Sequence, residues 1–213
     1  MESAMLNRRL VFPLLGLFLP AIALAQGTAP ANVDMAALLK PGPLGDRVLG
    51  KADAPVTIVE YASLTCSHCA AFHTETMPMV KEKLIETGKV RFIFREFPFD
   101  SLATAASMLA RCTSEQRYFP LLDLFFKRQE SWARSQKPLD ELLGLARQAG
   151  FTQESFEACL KNQSVYEGIN SVKQQAMDVY KVDSTPTFFV NGVKKSGNMS
   201  FEQVEKLIEP FLK

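Results

Sequence analysis

The sequence predicts an α/β protein in which a block of helices is inserted between the two halves of one small sheet. Three observations carry that expectation. Strand-like runs of β-branched and aromatic residues fall at Val56–Tyr61, Val90–Phe97 and Thr187–Val190. Between residues 101 and 180 the apolar residues instead recur at helical spacing. Hydrophobic residues make up 47% and charged residues 22%, a balance that suits a packed core and excludes a disordered chain.

Taken in order, the first strand follows Pro55 and ends just before Cys66-Ser67-His68-Cys69. Phe72, Met77, Val80 and Leu84 then lie roughly on one helical face, with Pro78 expected to kink the helix and Gly88 to close it. Phe92, Ile93 and Phe94 are adjacent and apolar, as in a strand buried on both faces at the centre of a sheet. Helices are expected over Leu102–Cys112, over Glu115–Trp132 with a disturbance at Pro120, from Pro138 to Gly150, over Thr152–Leu160 and over Val165–Tyr180. Asn191-Gly192 is a hairpin turn, with Val193–Lys195 returning. Ser200 and Gln203 form a capping box for the last helix, stapled by Met199 against Val204. The divisions expected are 46–100 and 181–213 for the two parts of the sheet and 101–180 for the insertion.

The N-terminus reads as a secretory leader. Arg8 and Arg9 precede the apolar run Leu10–Leu24, and Ala23-Leu24-Ala25 supplies small residues for cleavage after Ala25. The alternative is an uncleaved anchor, for which the run is short and interrupted by Pro13 and Pro20. Residues 26–45, rich in Ala, Gly and Pro, read as a flexible segment. The expected location is the periplasm. Removing Glu2, Arg8 and Arg9 leaves basic and acidic residues in balance, and no basic run remains, which speaks against nucleic acid as a partner.

The four cysteines, Cys66, Cys69, Cys112 and Cys159, all fall beyond the leader, and an even count in an oxidising compartment suggests two pairs. Cys66 follows a strand and opens a helix, where unpaired N–H groups and the helix dipole favour a thiolate. Cys69 lies one turn behind, placed to resolve a mixed disulfide. The His68 imidazole can add a hydrogen bond or positive charge beside the Cys66 sulfur. Other readings of the motif are a structural disulfide, half of a zinc site, or a copper site completed by His73, four residues after Cys69. His73 itself reads first as a solvated helix residue. Glu60, six residues before Cys66, is either an outward-facing strand residue or an acid under the site that relays protons for Cys69. Cys112 and Cys159 would staple the helical block, contributing about 4 kcal/mol in the chain-entropy model. The alternative is two separate buried thiols. Phe119, Phe125, Phe126 and Trp132 read as core, or in part as an apolar groove for unfolded chains.

These features together resemble the DsbA-like branch of the thioredoxin superfamily. Val59-Glu60-Tyr61 leads to the CxxC, a later strand ends at Phe97-Pro98, and Thr185-Pro186-Thr187 precedes a strand and Asn191-Gly192. The resemblance covers residues 46 to 213. It implies a thioredoxin fold with a helical insertion, and a cis Thr185–Pro186 bond facing the disulfide, where the exposed Thr185 backbone can pair with an extended client. It implies an enzyme that oxidises cysteine pairs in reduced or unfolded exported proteins, reoxidised by a DsbB-like membrane quinone reductase. No cofactor or resident metal is expected. Related isomerases carry an added N-terminal dimerisation domain, and the short segment ahead of the fold argues for a monomer and an oxidase. An isomerase or reductase of the same fold, a copper-binding metallochaperone and a holdase chaperone are the competing readings.

Overall fold

The structure is a computed structural model that describes Met1 and residues 33–212. The leader over 1–25 and its cleavage point lie outside the described residues, Met1 apart. The segment expected to be flexible over 26–45 is packed structure where it is described. A short helix α1 (Met35–Leu38) is capped by the Asp34 carboxylate, which accepts from the Ala36 N–H. Leu38 is fully buried against the sheet, and the Val33 N–H donates to the Gly192 carbonyl. Apolar Val33, Met35 and Leu38 give this stretch a face to bury, which composition alone conceals.

Strand β1 (Arg47–Leu49), which the sequence did not announce, pairs antiparallel with β3 (Val90–Glu96). Strand β2 (Val56–Ala62) runs parallel to β3, with Glu60 opposite Phe94. Strands β4 (Thr187–Val190) and β5 (Val193–Ser196) complete a five-stranded sheet in the order β1-β3-β2-β4-β5. Asn191 and Gly192 turn the β4–β5 hairpin at φ 42° and 91°, the positive values a tight turn of this kind needs. β2 and β3 are thus interior strands, in keeping with their apolar runs on both faces. Alternation sends Ile58, Glu60 and Ala62 to one face and Val59 and Tyr61 to the other. The first face packs on the CxxC helix and most of the insertion, the second on Leu38 and on Val172, Ala176 and Tyr180 from the insertion's end.

The helical run 67–85 begins with α2 (Ser67–Ala71) and continues through a widened turn, Phe72–Thr76, into α3 (Met77–Val80) and a second widened turn, Lys81–Ile85. Pro78 does not break it. The Met77 N–H reaches back five residues to the Phe72 carbonyl, so the register changes just ahead of the residue that lacks a donor. The wider turn buries adjacent residues, Phe72 with His73 and Thr76 with Met77.

In the insertion, α4 (Ser101–Arg111) is followed by α5 (Glu115–Lys127) and α6 (Gln129–Ala133). The single helix expected over Glu115–Trp132 breaks at Arg128 and not at Pro120. There the Trp132 indole N–H donates to the Phe125 carbonyl, taking the acceptor that the next helical turn would have used. Helices α7 (Pro138–Ala146), α8 (Gln153–Leu160) and α9 (Gln163–Asp178) follow, with Pro138 at the first position and Gly150 beyond α7 at φ 90°. The last helix, α10 (Phe201–Ile208), carries the Ser200–Gln203 capping box. Among the described residues no helix is long and apolar enough to cross a membrane.

Candidate active site

Cys66 is the N-cap of α2, with extended backbone at φ −80° and ψ 120°. β2 carries the chain to this point, and the Cys66 carbonyl accepts the Ala70 N–H to start the helix. The Cys66 side chain is half-buried and Cys69 fully buried, and both are free thiols. The Cys66 Sγ donates to the Thr185 carbonyl at 3.3 Å. The Thr185–Pro186 bond is cis, and the Thr185 carbonyl meets the sulfur from the far half of the sheet.

The two sulfurs are poised unequally. The Cys69 thiol beside it, Thr185, and the backbone amides of Cys69 and His68 together outweigh burial and hold Cys66 down at about 5. For Cys69, burial, the neighbouring Cys66 and the Glu60 charge push the thiol well above its ordinary value. His68 contributes through its amide. Its side chain is exposed and makes no hydrogen bond among the described residues, so the expected hydrogen bond from the imidazole to the sulfur is not formed. At this first helical turn the N–H groups converge on Cys66, while the Ser67 and His68 side chains are exposed.

Glu60 is fully buried, so the outward-facing reading is excluded. Its Oε2 lies 2.8 Å from His73 Nε2. His73 is only 6% exposed, which corrects the solvated reading. Its ring stacks on Phe126 at 4.2 Å between centroids, with Phe94 and Phe72 edge-on. The imidazole is therefore turned to Glu60. Among the described residues no group of three or more His, Cys, Asp or Glu side chains is placed to hold a metal ion.

Sequence reasoning missed Gln129. From α6 its buried Nε2 donates to the Leu64 and Cys66 carbonyls at 2.8 and 2.9 Å, tying the CxxC loop to the insertion. A lone glutamine among charged residues gives no sequence signal of this. Cys112 and Cys159, 47 residues apart, form a disulfide between the end of α4 and α8. Phe119, Phe125, Phe126 and Trp132 are all buried core.

Comparison with known proteins agrees with this geometry. The family model described as Thioredoxin matches residues 44–210. A protein of Rickettsia bellii, provisionally named a protein-disulfide oxidoreductase, is 34% identical over 165 residues, 77% of this chain and 63% of that protein. The chain thus spans less than two thirds of the length of such curated relatives, 60% for the one from Rickettsia felis. The crystal structure of Wolbachia pipientis alpha-DsbA1 superposes with a TM-score of 0.77 at 32% identity, covering 83% of this chain and 94% of that one. Oxidised BdbD from Bacillus subtilis shares the fold at 20% identity and a TM-score of 0.72, covering 86% of this chain and 97% of that one. With the family matched over most of its length, a CxxC opening a helix and a helical block set into the sheet, the chain belongs to the thioredoxin superfamily, in its DsbA-like branch.

Proposed function

We propose that this chain is a thiol–disulfide oxidoreductase that oxidises cysteine pairs in exported proteins through a Cys66–Cys69 disulfide. The observation that carries the reading is the opposed poise of the two sulfurs, one held down at about 5 and the other buried and pushed up. A low-pKa thiolate is a good leaving group and stabilises the reduced form, which makes the disulfide oxidising. A client thiolate attacks Cys66 Sγ, and the Cys66–Cys69 bond breaks with Cys69 leaving and taking up a proton. The second client thiol then attacks the client sulfur bonded to Cys66, which departs as the stabilised thiolate. Two electrons pass from client to enzyme, and the client gains a disulfide.

Thr185 and Pro186 form the docking edge in this reading. An extended client backbone pairs beside the thiol, a contact that tolerates many sequences. Glu60 is the acid beneath Cys69, and Cys112–Cys159 is structural. His68 serves through its amide. The leader read from the sequence supports a periplasmic site of action, and the family resemblance supports reoxidation by a DsbB-like membrane quinone reductase.

The deciding experiment is the equilibrium potential of the Cys66–Cys69 pair against glutathione. The oxidase reading expects a value toward the roughly −120 mV of a strong oxidant. A value near about −270 mV assigns a reductase instead.

A further inference from the structure

We infer that His73, braced by Asp123, is a positioning residue that keeps the sealed Glu60 carboxylate ionised as the proton acceptor for Cys69. The inference rests on the disulfide-exchange reading above and assigns it a residue on α2's continuation that the CxxC motif does not include.

A carboxyl group with no exposure and no partner favours its neutral form, and a neutral carboxyl cannot accept a proton. Glu60 is fully buried, and its Oε1 has no hydrogen-bond partner. His73 Nε2, at 2.8 Å from Oε2, is its one ion-pair partner among the described residues. The other ring nitrogen, Nδ1, also lacks a hydrogen bond and faces Asp123 Oδ1 at 3.8 Å. Asp123, on α5, keeps its side chain 37% exposed and pairs with Lys81 at the surface. The ring therefore bridges a sealed carboxylate and a solvated one. The charged groups facing it are Glu60 from β2 and Asp123 from α5, with Lys81 behind Asp123. Phe72, Phe94 and Phe126 close the remaining sides.

Burial by itself lowers the imidazole, yet Glu60 and Asp123 together raise it to about 9. Between two carboxylates the ring carries its proton at neutral pH, and its charge offsets that of Glu60. The step it serves is closure of the active-site disulfide from a mixed disulfide on Cys66. The Cys69 S–H bond breaks and its proton passes to the Glu60 carboxylate. The Cys69 thiolate attacks Cys66 Sγ, the Cys66–Cys69 bond forms, and the partner sulfur leaves as a thiolate. In the reverse direction Glu60 returns the proton to the departing Cys69.

The test follows the glutathione mixed disulfide on Cys66, formed by adding oxidised glutathione to the reduced protein, by rapid acid quench across pH. In His73→Phe, which keeps the stack on Phe126 and removes both nitrogens, its decay should slow about tenfold or more at pH 7 and recover only toward alkaline pH. An unchanged decay profile in a folded His73→Phe protein overturns the inference. If that variant does not fold, Asp123→Asn decides. It should lower the midpoint of the buried histidine's ring-proton NMR signal, readily told from that of exposed His68, and slow the decay several-fold. A midpoint and decay both at the wild-type values overturn the inference. Failure of the wild-type protein to capture glutathione at all would sink the exchange reading instead.

Discussion

Cys66 Sγ lies 3.3 Å from the Thr185 carbonyl oxygen, to which it donates when protonated, although 119 positions separate the two in the chain. The contact joins the start of α2 to the loop entering β4, so the reactive sulfur sits where the two halves of the sheet meet. In the proposed reading the same carbonyl edge receives a client backbone, with the thiol beside a cysteine presented there.

Cys66 should titrate near pH 5 in the reduced protein, with the thiolate followed by its ultraviolet absorbance. Its folded pKa lies below the ordinary thiol value, so the stabilisation it lends the reduced fold is present above about pH 8.5. That stabilisation is lost as pH falls through 5. The melting temperature of the reduced protein relative to the oxidised one should drop over that range, and a difference independent of pH would contradict the assignment.

Cys69 should be nearly inert to alkylation beside Cys66. It is fully buried and its thiol is raised, whereas Cys66 is ionised at neutral pH. At pH 7 iodoacetamide should label Cys66 at least about 100-fold faster. Cys69→Ala should accordingly accumulate client mixed disulfides on a non-reducing gel, and a clean lane would remove its resolving role.

Gln129→Ala removes both donors that hold the Leu64 and Cys66 carbonyls. At about 0.5–1.5 kcal/mol for each bond, the variant should lose about 1–3 kcal/mol of stability in urea unfolding. Hydrogen exchange should rise in the Ser63–Cys66 loop. A loss confined to α6 would show that the insertion does not brace the site.

Replacing Cys112 and Cys159 together by alanine opens a loop of 47 residues. The chain-entropy model gives a loss of about 4 kcal/mol, with 2–5 kcal/mol usual for native bridges. Exchange at Cys66–Cys69 should persist once the variant is folded, measured as oxidation of a reduced peptide. Loss of exchange in a folded variant would give the second pair a redox part.

Much of this molecule was legible from residue order. Strand, CxxC, helix, strand, helical block, hairpin and helix could each be read because local signals are short-ranged. β-branched runs, Asn191-Gly192 with its positive φ, Pro138 at a first helical position and the Ser200–Gln203 box act within a few residues. The position of Cys66 at a helix start is local in the same way, and it already implied an activated thiol. The break at Arg128 and the widened turn ahead of Pro78 were less legible, because Trp132 and the burial of Phe72 and His73 decide them.

What the sequence determined alone was therefore the α/β order, the motif and the identity of its two sulfurs. Only the tertiary structure decided what surrounds them: Thr185 against Cys66, Glu60 sealed on His73, Gln129 under the loop, and Cys112 on Cys159. It moved His73 from the surface to the core. The physical reason is that a periodic pattern says which face of an element is apolar, while burial and charge pairing depend on which faces from distant segments close upon one another.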